Sequence, residues 1–171
     1  MLKRTLIALG MATAVAAPVY ALDNPQVSAV DVAAGAELDG NSSLSKFPTL
    51  NDDLSKTITA ALNDQPVGVE PGYKVQVELT ELDISPNPTE SFVKGFNKLS
   101  GTVTVMDPEG NGAIGAFPIE VNAQSILPAP GTLTVAPSDE ELYTAMLVGF
   151  AEATENGMDT LSETNSDTND R

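Results

Sequence analysis

Tyr73-Lys74-Val75-Gln76-Val77-Glu78-Leu79-Thr80-Glu81-Leu82-Asp83-Ile84 is the stretch that decides the fold class. Tyr73, Val75, Val77 and Leu79 alternate with Lys74, Gln76, Glu78 and Thr80. That period of two puts one face of a strand in a core and the other in water. The phase then slips, because Leu82 and Ile84 are the next apolar positions and Glu81 and Asp83 lie opposite. One extra residue near Thr80-Glu81 restores the alternation, and a β-bulge is the usual form of such a slip. A strand with one polar face belongs to a sheet covered on one side only, which is the habit of antiparallel sheets.

Working outward, the C-terminal side continues in the same style. Ser85-Pro86-Asn87-Pro88 breaks the strand. The next strand runs from Leu99 to Met106, with Val103 and Val105 inward and Lys98, Ser100, Thr102 and Thr104 outward. Asp107-Pro108-Glu109-Gly110-Asn111-Gly112 is rich in turn-forming residues. Phe117, Ile119, Val121 and Ala123 share a face of the following strand, and Pro118 within it marks an edge strand or a bulge. Residues 127–137 read as loop, with a short strand at Thr132 to Val135. Ser138-Asp139-Glu140-Glu141 fits a capping box. Leu142, Met146, Phe150 and Ala153 then form a helical stripe that fades by Gly157, with Met158 and Leu161 as its extension. Residues 162–171 hold no apolar side chain and read as a disordered polar tail.

On the N-terminal side, Leu54, Ile58, Ala61 and Leu62 form one helical stripe. Asn51 is its expected N-cap, Asp52 and Asp53 suit the positive end of the helix dipole, and Pro66 and Gly68 stop the helix. Asp39 to Thr49 reads as a polar connection. Val30, Val32, Ala34, Ala36 and Leu38 alternate with more polar residues, so 30–38 reads as a strand. The order is strand, helix, strand, strand, strand, helix. That order predicts an α+β fold with a single antiparallel-rich sheet of about four strands and two helices packed on one face.

The first 21 residues read as an export signal. Lys3 and Arg4 precede an apolar run from Leu6 to Ala17, and Val19 and Ala21 sit at the −3 and −1 positions of a small-x-small cleavage site. The run is shorter than the roughly 20 residues a membrane span needs. Cleavage after Ala21 leaves a single domain over residues 22–161 ahead of the tail. The expected address is periplasmic or secreted, with no membrane span in the processed chain.

The element order resembles the small β-α-β-β-β-α domains of bacterial envelope proteins, such as the periplasmic domain of the curli-secretion channel and the outer-membrane activators of penicillin-binding proteins. The resemblance covers about residues 27–160 and rests on element order, the export signal and composition. It implies an assembly or accessory role rather than catalysis. Those proteins are usually lipoproteins, and this chain has no cysteine to carry a lipid.

Charge and absent residue types exclude whole classes of function. The chain carries 24 acidic and 8 basic residues, a net charge of −16, and cleavage would remove two of the basic ones. Nucleic acid and anionic membrane surfaces both need clustered Lys and Arg, so neither is an expected partner. The acidity would suit a cationic partner steered by a long-range field, but plain solubility is the favoured reading of it. With no His and no Cys, Ser-His-Asp and Cys-His catalysis fall away, as do zinc, copper and haem sites of the usual ligand types. No cofactor is expected.

Four constellations remain. Ser43-Leu44-Ser45-Lys46 and Ser91-Phe92-Val93-Lys94 match the Ser-x-x-Lys pattern of penicillin-recognising enzymes, but the companion Ser-Asp-Asn and Lys-Thr-Gly motifs are missing. Asp107, Glu109 and Asn111 alternate like the start of a calcium loop, yet the position of the closing Glu holds Pro118. Asp52-Asp53 and Glu140-Glu141 lie in first helical turns, and Glu81 with Asp83 flanks the inferred bulge. The fourth is Thr89 to Asn97, a hairpin connection longer than two strands require. Phe92, Val93 and Phe96 offer apolar anchors, and Lys94 and Lys98 are two of the few basic residues. These five are the candidate partner-binding residues; the alternative is that the loop folds back and caps the core. An exported, non-enzymatic interaction module of an envelope assembly or transport system is the first functional reading. A small periplasmic ligand-binding protein is the second, and a carboxylate or Ser-Lys hydrolase the third.

Overall fold

The computed structural model describes residues 26–62, 72–84, 97–123 and 138–168, with side chains to Leu161. The export signal, the 85–96 connection and the 127–137 loop lie outside the described residues. The elements are β1 (Val27–Ala34), a 3-10 turn (Ala36–Leu38), α1 (Ser42–Lys46), α2 (Leu50–Leu62), β2 (Tyr73–Asp83), β3 (Asn97–Met106), β4 (Ala113–Ala123) and α3 (Asp139–Thr168).

The fold is α+β. Its four strands lie in the order β1-β2-β3-β4. β2–β3 and β3–β4 are antiparallel, while β1–β2 is parallel. The parallel pair follows from connectivity, since a helix between two neighbouring strands returns the chain to the end where it began. α2 packs on β1 and on α3, and α3 packs on β4 and β3. Val75, Val77, Leu79, Leu99, Val103 and Val105 from the sheet join Leu54, Ile58, Met146 and Phe150 from the helices in one core. Among the described residues no helix packs on the opposite sheet face.

The slip in β2 is present where the pattern placed it. The β2–β3 register shifts between Leu79 and Glu81, and Leu82 and Ile84 return to the buried face. The 107–112 turn joins β3 to β4. Asp107 Oδ1 accepts from the Glu109 N–H at 2.6 Å, and Gly110 and Gly112 take positive φ. β4 ends the sheet, which is the edge position that Pro118 requires. The Ser138 capping box forms as well: the Ser138 N–H donates to Glu141 Oε2 at 2.7 Å, and the Glu141 N–H donates to Ser138 Oγ at 3.2 Å.

Four boundaries differ from the sequence reading. β1 stops at Ala34 rather than running to residue 38, and the Gly35 N–H donates to the Leu79 carbonyl at 2.7 Å. The turn after it drops Leu38 into the core. The polar connection contains a helix, α1, capped by Asn41. Its Oδ1 accepts from the Ser43 and Leu44 N–H groups, and its Nδ2 donates to the Leu82 carbonyl. α2 starts at Leu50, with Thr49 rather than Asn51 at its head, and the Asp53 N–H donates to the Thr49 carbonyl at 2.9 Å. An earlier start places Leu50 on one stripe with Leu54 and Ile58, all fully buried. Finally, the backbone of α3 continues through Ser162 to Thr168, where the composition reads as a disordered tail.

Candidate functional site

Of the five candidate partner-binding residues, Lys98 is described; Phe92, Val93, Lys94 and Phe96 lie outside the described residues. Lys98 sits on β3 and points to the helix-free face of the sheet. Its Nζ lies 2.8 Å from Glu120 Oε2 on β4 and 2.9 Å from Glu81 Oε2 on β2. Glu81 and Glu120 both lie opposite Ser100 in the register, so the three charges bridge β2, β3 and β4 around that residue. Ser100 Oγ is buried with no hydrogen-bond partner. The bonds that Lys98 makes to Glu120 and then to Glu81 hold its ammonium above the usual lysine range. Lys98 in turn, helped by Asn122, holds the Glu120 carboxyl below the usual range. The bridge keeps one negative charge in excess and ties the sheet together.

The Ser43 and Lys46 pair belongs to a second polar cluster, at the joint of α1, α2 and α3. The Ile84 N–H donates to Ser43 Oγ at 3.4 Å, and Lys46 forms an ion pair with Asp139. Beside them the Phe47 and Tyr143 rings stack at 4.3 Å between centroids and 3° between planes. The Tyr143 hydroxyl donates to Asp53 Oδ2 at 2.9 Å, and the Thr49 hydroxyl donates to the same oxygen at 2.8 Å. Those two bonds, Thr49 foremost, lower the Asp53 carboxyl. Burial, and then the Asp53 bond, push the Tyr143 phenol above its ordinary value. Ser43 therefore ties α1 to the end of β2, Lys46 ties α1 to α3, and Tyr143 ties α3 to α2, so each group that Ser-Lys or tyrosine chemistry would use here is engaged in a joint of the fold. The alternating acids of the 107–112 turn are likewise engaged within the turn, where Asn111 Nδ2 donates to Glu109 Oε2 at 3.4 Å. Among the described residues no group of three or more carboxylates is placed to hold a metal ion.

A groove absent from the sequence reading runs between α3 and β4. It encloses about 420 Å³. Phe117, Pro118, Ile119 and Glu120 line its strand side, and Ala153, Gly157, Thr160 and Leu161 line its helix side. Small residues create it. A Cβ on Gly157 would lie 2.5 Å from Cζ of Phe117, and a Cβ on Gly115 would lie 2.8 Å from the methyls of Leu161. Each aromatic or branched side chain therefore rests on a glycine of the opposing element. Gly149 faces Val121 in the same way at 3.2 Å, so Gly149, Ala153 and Gly157 form a narrow stripe at i, i+4 and i+8. That spacing is the one signal by which the sequence alone could have shown the groove.

No helix among the described residues is long and apolar enough to cross a membrane. No family model and no curated protein matches this chain. Solved structures do. They include a PelC variant dodecamer from Paraburkholderia phytofirmans, 10% identical over 72% of this chain and 84% of that one, with a TM-score of 0.41. A second PelC dodecamer from the same organism is 13% identical over 75% and 87%, with a TM-score of 0.42. A candidate lipoprotein of Caulobacter crescentus CB15 is 14% identical over 81% and 92%, with a TM-score of 0.38.

Proposed function

We propose that this chain is a non-enzymatic, exported interaction module that serves an envelope assembly or transport system in the periplasm or outside the cell. One contrast supports the reading. The side chains best suited to chemistry are bonded into the joints of the fold, as Lys46, Asp53, Tyr143, Glu81 and Lys98 show, whereas apolar surface is left open in the α3–β4 groove. Open apolar surface edged by polar residues is the mark of a surface that meets something else. Phe92, Val93 and Phe96, which lie outside the described residues, are further candidate partner contacts in this reading.

Affinity capture from the native periplasm tests the module directly. The expected result is stoichiometric recovery of a defined envelope protein with a chain whose N-terminus is Leu22. A chain that keeps residues 1–21 embedded in the inner membrane would overturn the exported address. A second reading is favoured by the groove volume alone, which falls in the range of small-ligand clefts, roughly 300–1,000 Å³. Co-purification of a small molecule in native mass spectrometry, with no protein partner, would favour that reading.

A further inference from the structure

The groove between α3 and β4 has an electrostatic character as well as an apolar floor. Glu152, Asn156 and Asp159 fall at i, i+4 and i+7 on α3, one row to the solvent side of Ala153, Gly157 and Thr160, and all three are exposed. From Tyr143 to Leu161 the helix carries Glu152, Glu155 and Asp159 and neither Lys nor Arg. β4 contributes Glu120 and no basic residue. Among the described residues Lys98 is the single cation that forms an ion pair with β4, and it is shared between Glu120 and Glu81. Among the described residues no Lys or Arg forms an ion pair with Glu152 or Asp159. The groove is thus an apolar trough with one wall of unmatched negative charge.

Two features narrow what it can hold. A second copy of this chain would bring net charge of the same sign, −16, against that wall, and like charges brought together oppose association. Strand addition to β4 is hindered because Pro118 removes a backbone N–H from the open edge. An occupant must therefore be read through side chains, with an apolar stripe for the half-buried Phe117 and Leu161 and the exposed Pro118, and cations for the α3 wall. We propose that the α3–β4 groove is a docking site for a cationic amphipathic helix of a partner protein. This inference rests on the module reading and adds to it a surface and a partner chemistry.

The test uses three synthetic 14-residue peptides. One carries Leu at helical i, i+3, i+4 spacing with Lys elsewhere. The second has the same composition with the Leu positions scrambled, and the third has Glu for Lys. Binding to the processed chain is read by fluorescence anisotropy near physiological salt, where exposed charges more than about 8 Å apart are screened. The striped Lys peptide should bind about tenfold more tightly than the scrambled one, and the Glu peptide should not bind. Thr160→Trp, which fills the trough, and the pair Glu152→Lys with Asp159→Lys, which reverses the wall, should each weaken the striped peptide about tenfold. Asp31→Lys with Glu78→Lys reverses two exposed charges on the opposite sheet face and should change binding less than threefold.

Equal binding of striped and scrambled peptides would overturn the proposal, as would equal losses in the wall and control variants. The wall variant lies on solvent-exposed positions and keeps the test decisive should Thr160→Trp misfold. Sedimentation showing a dimer that the wall variant dissociates would assign the groove to a second copy instead. If the wall variant still captures the periplasmic partner undiminished, the module reading stands and the groove is not its docking surface. If no variant of the chain captures any protein, the module reading itself fails.

Discussion

Gly157 is where the account of the α3–β4 contact can be broken most cleanly. Replacing a glycine inside a helix with alanine normally stabilises by about 0.8–1 kcal/mol. Here the new methyl would sit 2.5 and 2.8 Å from Cζ and Cδ2 of the Phe117 ring, well inside contact distance. Either the ring leaves its seat on the helix or the helix lifts from β4. Overpacking of this kind costs about 1–3 kcal/mol, so Gly157→Ala should be net destabilising by about 1 kcal/mol. In a Phe117→Ala background the obstacle is gone, and the same change should stabilise by about 0.5–1 kcal/mol. The sign inverts, and the coupling is about 1–3 kcal/mol. The chain has no Trp, so urea unfolding followed by far-UV circular dichroism is the assay, with all four chains of the cycle compared at one temperature. Should Gly157→Ala stabilise both backgrounds equally, within about 0.5 kcal/mol, Phe117 does not rest on α3 and the groove floor has been misassigned.

Three further outcomes follow from the packing and the polar contacts. Phe150 is fully buried where α3 meets the core, and Phe150→Ala should cost about 3–5 kcal/mol in the same assay; less than about 1 kcal/mol would mean α3 does not cover the sheet. The Ser138 backbone N–H and hydroxyl hold the Glu141 carboxyl below the ordinary glutamate range. The stability from that cap is present above the unfolded value and is lost as pH falls through the lowered folded one. An NMR titration should put the Glu141 midpoint below that of an exposed, unbonded glutamate, and a midpoint at or above it would mean that the capping box is not formed. The double change Phe92→Ser with Phe96→Ser should abolish periplasmic capture while leaving the melting temperature in place. A fall of several degrees with capture retained would mean instead that these rings cap the core, since about 1 kcal/mol moves a domain of this size by roughly 2–8 °C.

Where local pattern and tertiary role coincide, the reading from residues alone succeeds. β2 alternates because one face lies on a helix layer, and its slip is visible because two faces cannot exchange without an added residue. The Ser138 box and the Leu142–Met146–Phe150 stripe are equally local. The misread boundaries share a different cause: distant residues decide them. Ala36 and Leu38 keep the alternation of β1, yet the chain turns at Gly35, which bonds to Leu79 44 positions later. α1 has a single apolar residue, Leu44, and its N-terminal end is held by Leu82 of β2 and by Ile84 just beyond that strand. Thr49 and Asn51 are both good capping residues, and only the burial of Leu50 chooses between them. Apart from Glu163, residues 162–168 are weak helix formers, and none is apolar, so their helix is carried by propagation from the docked turns before them.

The same distinction explains why the charge of the chain looked uninformative in composition and becomes informative in place. A net charge sets solubility and field, and it says nothing about which carboxylates are matched. Glu81 and Glu120 share Lys98, Glu141 is bonded by its own cap, and Asp53 by two hydroxyls. Glu152 and Asp159 have no such partner among the described residues, and they stand beside the apolar trough that small residues open. An unmatched exposed carboxylate costs little in water and becomes an attraction only when a cation is brought beside it with water excluded. The apolar floor supplies that exclusion and the acidic wall supplies the sign. Neither alone would select an occupant, and the selection therefore depends on α3 and β4 being neighbours, a fact of the tertiary fold rather than of any local run of residues.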